Sequence, residues 1–326
     1  MNGNHRKDYW KTILRAIVSA GLLGWLAMSI DWLELGRVLS KASITWLLVA
    51  VIGIIFSMIV SVSKWQQVLQ AQDIQLSWKK LWQAYWAGLF FNNFLPSSIG
   101  GDALRIIWIS KATRDVAGAT ASVVAERILA TTGLAITGMI GAFFISQPDL
   151  RIIAMLLVLL AISLGLLGLL MVGRLPVGTV SKQGAIISFL RGLTKHGNYM
   201  RHYKRRIIRV LALSVVFQVT VVGINYFIFL ALGISDIGWQ DALYIIPVTS
   251  VAAMVPVGIN GYGVRESAYV FLLGSWGVAR GSAFAASLLF AFLVSLCSLY
   301  GGLIWLKHRN EGEYEHAGIR SIADSQ

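Results

Sequence analysis

One cysteine, five prolines, five histidines and 13% charged residues in 326 leave several classes of protein out of reach. The single Cys297 lies in an apolar run, which excludes a disulfide framework and a cysteine metal cluster. His5, His196, His202, His308 and His316 all fall outside the apolar runs, against a haem, a membrane-buried zinc site or a histidine proton relay. There is no pair of aspartates at metal-binding spacing, no HxxxD and no nucleophile beside a base. The triplet Gly100-Gly101-Asp102 is followed by neither a P-loop lysine nor a dinucleotide fingerprint. No cofactor, no metal and no enzymatic activity is expected.

Apolar residues fill the space. At 56% hydrophobic and a mean hydropathy of +0.69, the chain reads as an all-α polytopic membrane protein. Six full spans are expected at about 12–30, 44–63, 119–145, 152–172, 207–232 and 282–306. The first is a retained signal anchor, since no small-residue cleavage site closes it. A net charge of +13 would fit a nucleic-acid partner in a soluble protein, but here the placement of charge decides otherwise. From 174 to 209 there are nine Lys or Arg residues and no acidic one, whereas 233–241 carries two aspartates and no basic residue. The positive-inside rule then puts both termini, the loop at 64–80 and the basic loop 174–206 in the cytoplasm of a bacterial plasma (inner) membrane. Lys64, Lys79 and Lys80 flank the 64–80 loop, and the tail 311–326 reads as disordered and cytoplasmic. Trp78, Trp82, Trp86, Trp239 and Tyr244 stand where interfacial anchors belong.

Two further apolar runs, 81–95 and 242–255, are too short to cross a bilayer comfortably, and each ends in a break. The breaks are one motif written twice. PSSIGGDALR (Pro96 to Arg105) and PVGINGYGVR (Pro256 to Arg265) share P-x-x-I-x-G-x-x-x-R at a constant offset of 160 residues. Proline and glycine interrupt the helix, which resumes with an arginine in its first turns. The basic residues on both sides of the first break make it a re-entrant hairpin entering from the cytoplasm. The second then enters from outside, and the two copies form an inverted-topology repeat, about 44–146 and 207–306, in one membrane domain at 1–310.

The motifs N-N-x-x-P-x-x-x-G-G-D-x-x-R (Asn92 to Arg105) and P-x-x-x-x-G-x-G-x-R-E (Pro256 to Glu266) resemble the integral membrane region of lysylphosphatidylglycerol synthases and its stand-alone, flippase-like relatives. The resemblance covers about residues 10–308. It implies movement of a lipid between leaflets, without the aminoacyl-transferase domain that follows in the synthases.

Two readings fit Arg105 and Arg265. An arginine at membrane depth is costly and meets a phosphate, a carboxylate or water, so these two are candidate clamps for a lipid phosphate; alternatively each closes a buried ion pair with Asp102, Glu126 or Glu266. Asp102 and Glu266 carry a coupled proton or neutralise the neighbouring arginine. Glu126 and Arg127 point to different faces of one span, where they link it to the first hairpin or let Arg127 snorkel. Asn92 and Asn93 cap the broken helix or meet a headgroup, and Gln218 and Asn225 share a face as helix glue. Gly100, Gly101, Gly261 and Gly263, beside Asn260, permit the turns at Pro96 and Pro256 and close approach of a ligand. The segment GAIISFLRGL with the cations after it either lies on the inner leaflet or only fixes topology.

The leading expectation is a transporter of a phosphate-bearing lipid, either an anionic phospholipid or a polyprenyl-phosphate-linked glycan, with a separate lipid-modifying enzyme as a possible partner and no nucleic acid. The rival is a membrane-embedded headgroup transferase or a non-catalytic partner subunit of one.

Overall fold

A computed structural model describes Gly24, Met28 and residues 32–94, 99–172, 185–255 and 261–323. The span expected at 12–30 and the residues Pro96, Pro256 and Asn260 lie outside the described residues, Gly24 and Met28 apart. Eleven helices follow in order among those described: α1 (Trp32–Ser40), α2 (Ile44–Gln70), α3 (Trp78–Phe94), α4 (Ile99–Thr113), α5 (Val116–Phe144), α6 (Leu150–Val172), α7 (Ala185–His202), α8 (Lys204–Ala231), α9 (Trp239–Ala253), α10 (Val264–Ser275) and α11 (Arg280–Ala323). Within them there is no strand. Five helices, α2, α5, α6, α8 and the 280–308 part of α11, are long and apolar enough to cross a membrane. The protein is a polytopic α-helical membrane protein. The last of the described helices, α11, ends at Ala323.

The repeat is visible as element order. Span, two-helix hairpin and span occur as α2, α3–α4, α5 and again as α8, α9–α10, α11, and the two leading spans start 160 residues apart at Ile44 and Lys204. These two spans pair antiparallel along their length. At one end the Ser43 amide donates to the Ala231 carbonyl at 2.8 Å. In the middle Gly53 faces Ile224, and at the other end Arg206 Nη1 donates to Gln70 Oε1 at 2.8 Å.

The hairpin arms have 17, 15, 15 and 12 residues, or roughly 18–26 Å of helix, short of the ~30 Å hydrocarbon layer. Local chemistry sets their ends. In the second hairpin α9 and α10 start alike: Asp241 reaches back to the Gly238 amide at 2.9 Å and Glu266 to the Gly263 amide at 2.6 Å. Gly263, at φ 84°, sits where a side chain would be strained. In the first hairpin the cap comes across the break, the Gly101 amide donating to Asn92 Oδ1 of the other arm at 2.9 Å.

Each hairpin is seated on the closing span of the other repeat. Gly301 of α11 lies against the Trp86 carbonyl of α3, and Gly141 of α5 lies against the Leu243 carbonyl of α9. The two glycines are again 160 apart. Pro247 lacks the N–H that would bond the Leu243 carbonyl inside α9, so the chain of α5 closes over an acceptor left free by its own helix. Among the described residues, contacts such as Tyr203 with Asp73 and His196 with Asp115 gather Lys79, Lys80, Lys111, Arg114, Lys195 and the 201–209 cations at one end of the bundle. The hairpins open at opposite ends.

Candidate functional site

The first hairpin carries a buried charge cluster. Lys64 Nζ of α2 is 3.0 Å from Glu126 Oε1 of α5, with side chains 1% and 2% exposed. Arg105 of α4 places Nη1 and Nη2 each 3.2 Å from Glu126 Oε2. Asp102 takes Arg105 Nη1 at 3.3 Å and two nitrogens of Arg127 at 2.8 Å. The Arg105 guanidinium also lies over the rings of Trp65 and Tyr85, at 4.1 and 4.2 Å. Three cations share two carboxylates, which leaves one positive charge over. The residue with open surface is Arg127, whose side chain is 53% exposed.

Of the two readings of Arg105, this geometry is that of the ion pair: its side chain is 3% exposed, enclosed by the carboxylates of Glu126 and Asp102 and the rings of Trp65 and Tyr85. Glu126 and Arg127 do link their span to the hairpin, and Asn92 caps the broken helix. Asn93 is half-buried, its Nδ2 atom enclosed and unpartnered among the described residues. Gly100 and Gly101 open α4, and a side chain at Gly101 would strike the Gly88 carbonyl and Asn92.

Lys64 does not flank a loop as expected but lies within α2. Helix α2 runs seven residues beyond 63, and Lys64 is inside the bundle with Phe217 under its ammonium at 4.7 Å. The available signal was the helical spacing Met58, Ser61, Trp65, Val68, which continues past the expected end. Trp86 and Tyr244 are likewise not surface anchors: they are 3% and 2% exposed, packed under α11 and in the large core cluster. Trp78 and Trp239 are exposed as expected.

The second hairpin differs although its motif is the same. Arg265 directs Nη2 and Nε to Glu266 Oε1, at 2.9 and 3.3 Å, and its remaining nitrogen has no partner among the described residues. Glu266 is fully buried, fixed by the Gly263 amide and by Ser287 Oγ of α11 at 3.4 Å. Arg265 lines a cavity of about 180 Å³ with Asn225 of α8, Thr249 and Ser250 of α9 and Tyr269 of α10, closed by Val221 and Phe290. Tyr269 donates to Asn225 Oδ1 at 2.6 Å, a buried bond that aligns the polar wall. Asn225 therefore serves this cavity as well as joining helices; Gln218 reaches only the Ala130 carbonyl, at 3.5 Å. Gly261, at φ 75°, turns the chain into the hairpin's second arm.

The cavity lies in the second hairpin of an apolar bundle; its surface is mostly apolar, with Arg265, Asn225, Thr249, Ser250 and Tyr269 as its polar lining residues. Residues 12–301 match the family described as the lysylphosphatidylglycerol synthase TM region. The chain belongs to that family. The UPF0104 membrane protein PH1989 of Pyrococcus horikoshii, a similar protein, is 24% identical over 334 residues, which cover 93% of this chain and 98% of that one. The family match begins inside the first expected span and ends in α11, so it takes in both hairpins and both sites.

Proposed function

We propose that this member of the lysylphosphatidylglycerol synthase membrane-region family moves a phosphate-bearing lipid between leaflets, with Arg265 as the ligand of the phosphate. One observation carries the reading: Arg265, with one guanidinium nitrogen left over from its pair with Glu266, lines a mostly apolar cavity to which three helices bring Asn225, Thr249, Ser250 and Tyr269. At about 180 Å³ the cavity is below the ~300–1,000 Å³ taken by drug-sized ligands, so it fits a headgroup fragment with the tails left in lipid. Arg105, held by Glu126 and Asp102, fixes the first hairpin instead of clamping a second phosphate.

The movement would pass through the seats at Gly141 and Gly301. Backbone approaches backbone closely at both seats, and aromatic pairs such as Trp86 with Tyr300 and Phe91 with Trp305 would have to exchange partners as the first hairpin shifts along its span. In this reading the basic end faces the cytoplasm of a bacterial inner membrane, and a separate enzyme acts on the lipid.

The test is headgroup translocation in proteoliposomes with fluorescent anionic, zwitterionic and polyprenyl-phosphate lipids. Wild type should move one class, Arg265→Ala should stop it, and Arg265→Lys should restore only part because a lysine cannot donate bidentately. An Arg265→Ala protein that folds and transports at the wild-type rate refutes the assignment.

A further inference from the structure

The second concentration of positive charge lies far from Arg265. Arg201, Lys204, Arg205, Arg206 and Arg209 fall within nine residues around Tyr203, where α7 stops and α8 begins. Charges this close repel, so an unfastened chain would spread them apart. Here they are fastened. Tyr203 donates to Asp73 Oδ1 at 2.7 Å, Arg206 to Gln70 Oε1 at 2.8 Å, and the Arg206 guanidinium lies over the Tyr203 ring at 5.3 Å. Both anchors are at the end of α2, so the corner is held to the bundle core.

None of the five cations forms an ion pair among the described residues. Asp73, at the corner's edge, is engaged by the Tyr203 hydroxyl. The cations border a cavity of about 910 Å³, shared with Asn198 and His202, five times the volume of the Arg265 cavity. From Lys204 to Asn225 along α8 is about 30 Å, so the two cavities are separate.

We propose that this corner binds a phosphate-bearing anion with more than one negative charge, such as the headgroup of an anionic lipid in the adjacent leaflet. Guanidinium forks on both helices suit phosphate oxygens, and the site's excess charge favours a multivalent ligand. Its place at the entry of α8, a helix long and apolar enough to span the membrane, points to a lipid over a free ion. The inference does not require that the protein translocate anything.

The test uses the purified full chain in nanodiscs of phosphatidylcholine doped with fluorescent cardiolipin, with inorganic pyrophosphate as soluble competitor. Each of Arg201→Gln, Arg205→Gln and Arg209→Gln should weaken cardiolipin binding about fivefold and the triple variant about a hundredfold, with a steep salt dependence. Changing the three to lysine should recover most of the loss. At the opposite end, Arg151→Gln should bind as wild type; failed translocation by the wild-type protein with retained binding would refute the transport reading alone. Displacement by pyrophosphate at concentrations comparable to the lipid would assign the site to free polyphosphates, and resistance would assign it to lipid. Triple-variant binding equal to wild type, or the same loss in Arg151→Gln, overturns the proposal. If the triple variant does not fold, the three single variants carry the test.

Discussion

Lys64 Nζ stands 3.0 Å from Glu126 Oε1, both side chains sealed inside the bundle, while Arg105 occupies the other carboxylate oxygen. One carboxylate thus ties α2, α4 and α5 together. Taking such charges from solvent is compensated only while the partners are complete.

Glu126→Gln should therefore cost about 3–5 kcal/mol, because it leaves two buried cations without their shared counter-charge. The double variant Lys64→Met/Glu126→Gln should lose less than the sum of the single losses, by about 1 kcal/mol or more. Reversible unfolding in detergent, followed by helical signal, reads both; strictly additive losses would show that the two residues act separately.

At the seats, Gly141→Ala and Gly301→Ala should each destabilise by about 1–3 kcal/mol, since a Cβ would strike a backbone carbonyl that cannot move aside as a side chain can. Valine should be worse at both. Gly165, with open space around its missing Cβ, is the control, and Gly165→Ala should be neutral or stabilising. Equal stability of all three alanine variants would mean the helices are not in contact there.

Tyr269→Phe removes the donor to Asn225 Oδ1 and leaves a buried acceptor, a loss of about 1–3 kcal/mol. Asn225→Ala should add little to it, because the bond is already gone. If translocation is observed, Tyr269→Phe should slow it without changing which lipid is moved, since the phosphate ligand remains. A changed lipid preference would place Tyr269 in recognition.

The hydrogen bond to Asp73, and next the charge of that carboxylate, push the Tyr203 phenol above its ordinary value by favouring the protonated form. The folded pKa is raised, so this contribution is complete below the ordinary phenol pKa and is lost as pH rises through the folded value. Phenolate absorbance should show Tyr203 titrating later in wild type than in Asp73→Asn. Tyr203→Phe should flatten the alkaline part of the stability profile, and an unchanged profile would remove the anchor from the account.

Much of this architecture was legible because its breaks are chemical. Proline and glycine at a fixed offset marked both hairpins, and acidic or basic connections marked the ends. Lys64 was not, since a lysine at the edge of an apolar run is the same letter whether it sits in a loop or in an extended helix beside a carboxylate. The difference between the arginines was hidden as well. Their motif is shared, but Arg105 finds Glu126 twenty-one residues on, while the residue at that distance from Arg265 is Ala286, which offers no charge. That contrast between repeats needed the inter-helix register. Helix α7 in the basic region and the burial of Trp86 depend on packing partners distant in sequence.

Because Trp86 of α3 rests on Gly301 of α11, the first hairpin meets its seat only when nearly the whole chain has been made. At ~5–20 residues per second, the 215 positions between them correspond to roughly 10–40 s of translation. During that interval two short helices, each with less than a bilayer's thickness of apolar length, wait without their final neighbour. The insertion machinery or lipid must shelter them, and a ribosome stalled before Gly301 leaves the hairpin without its seat. Biogenesis thus imposes an order on the fold, in which the last helix completes the first hairpin.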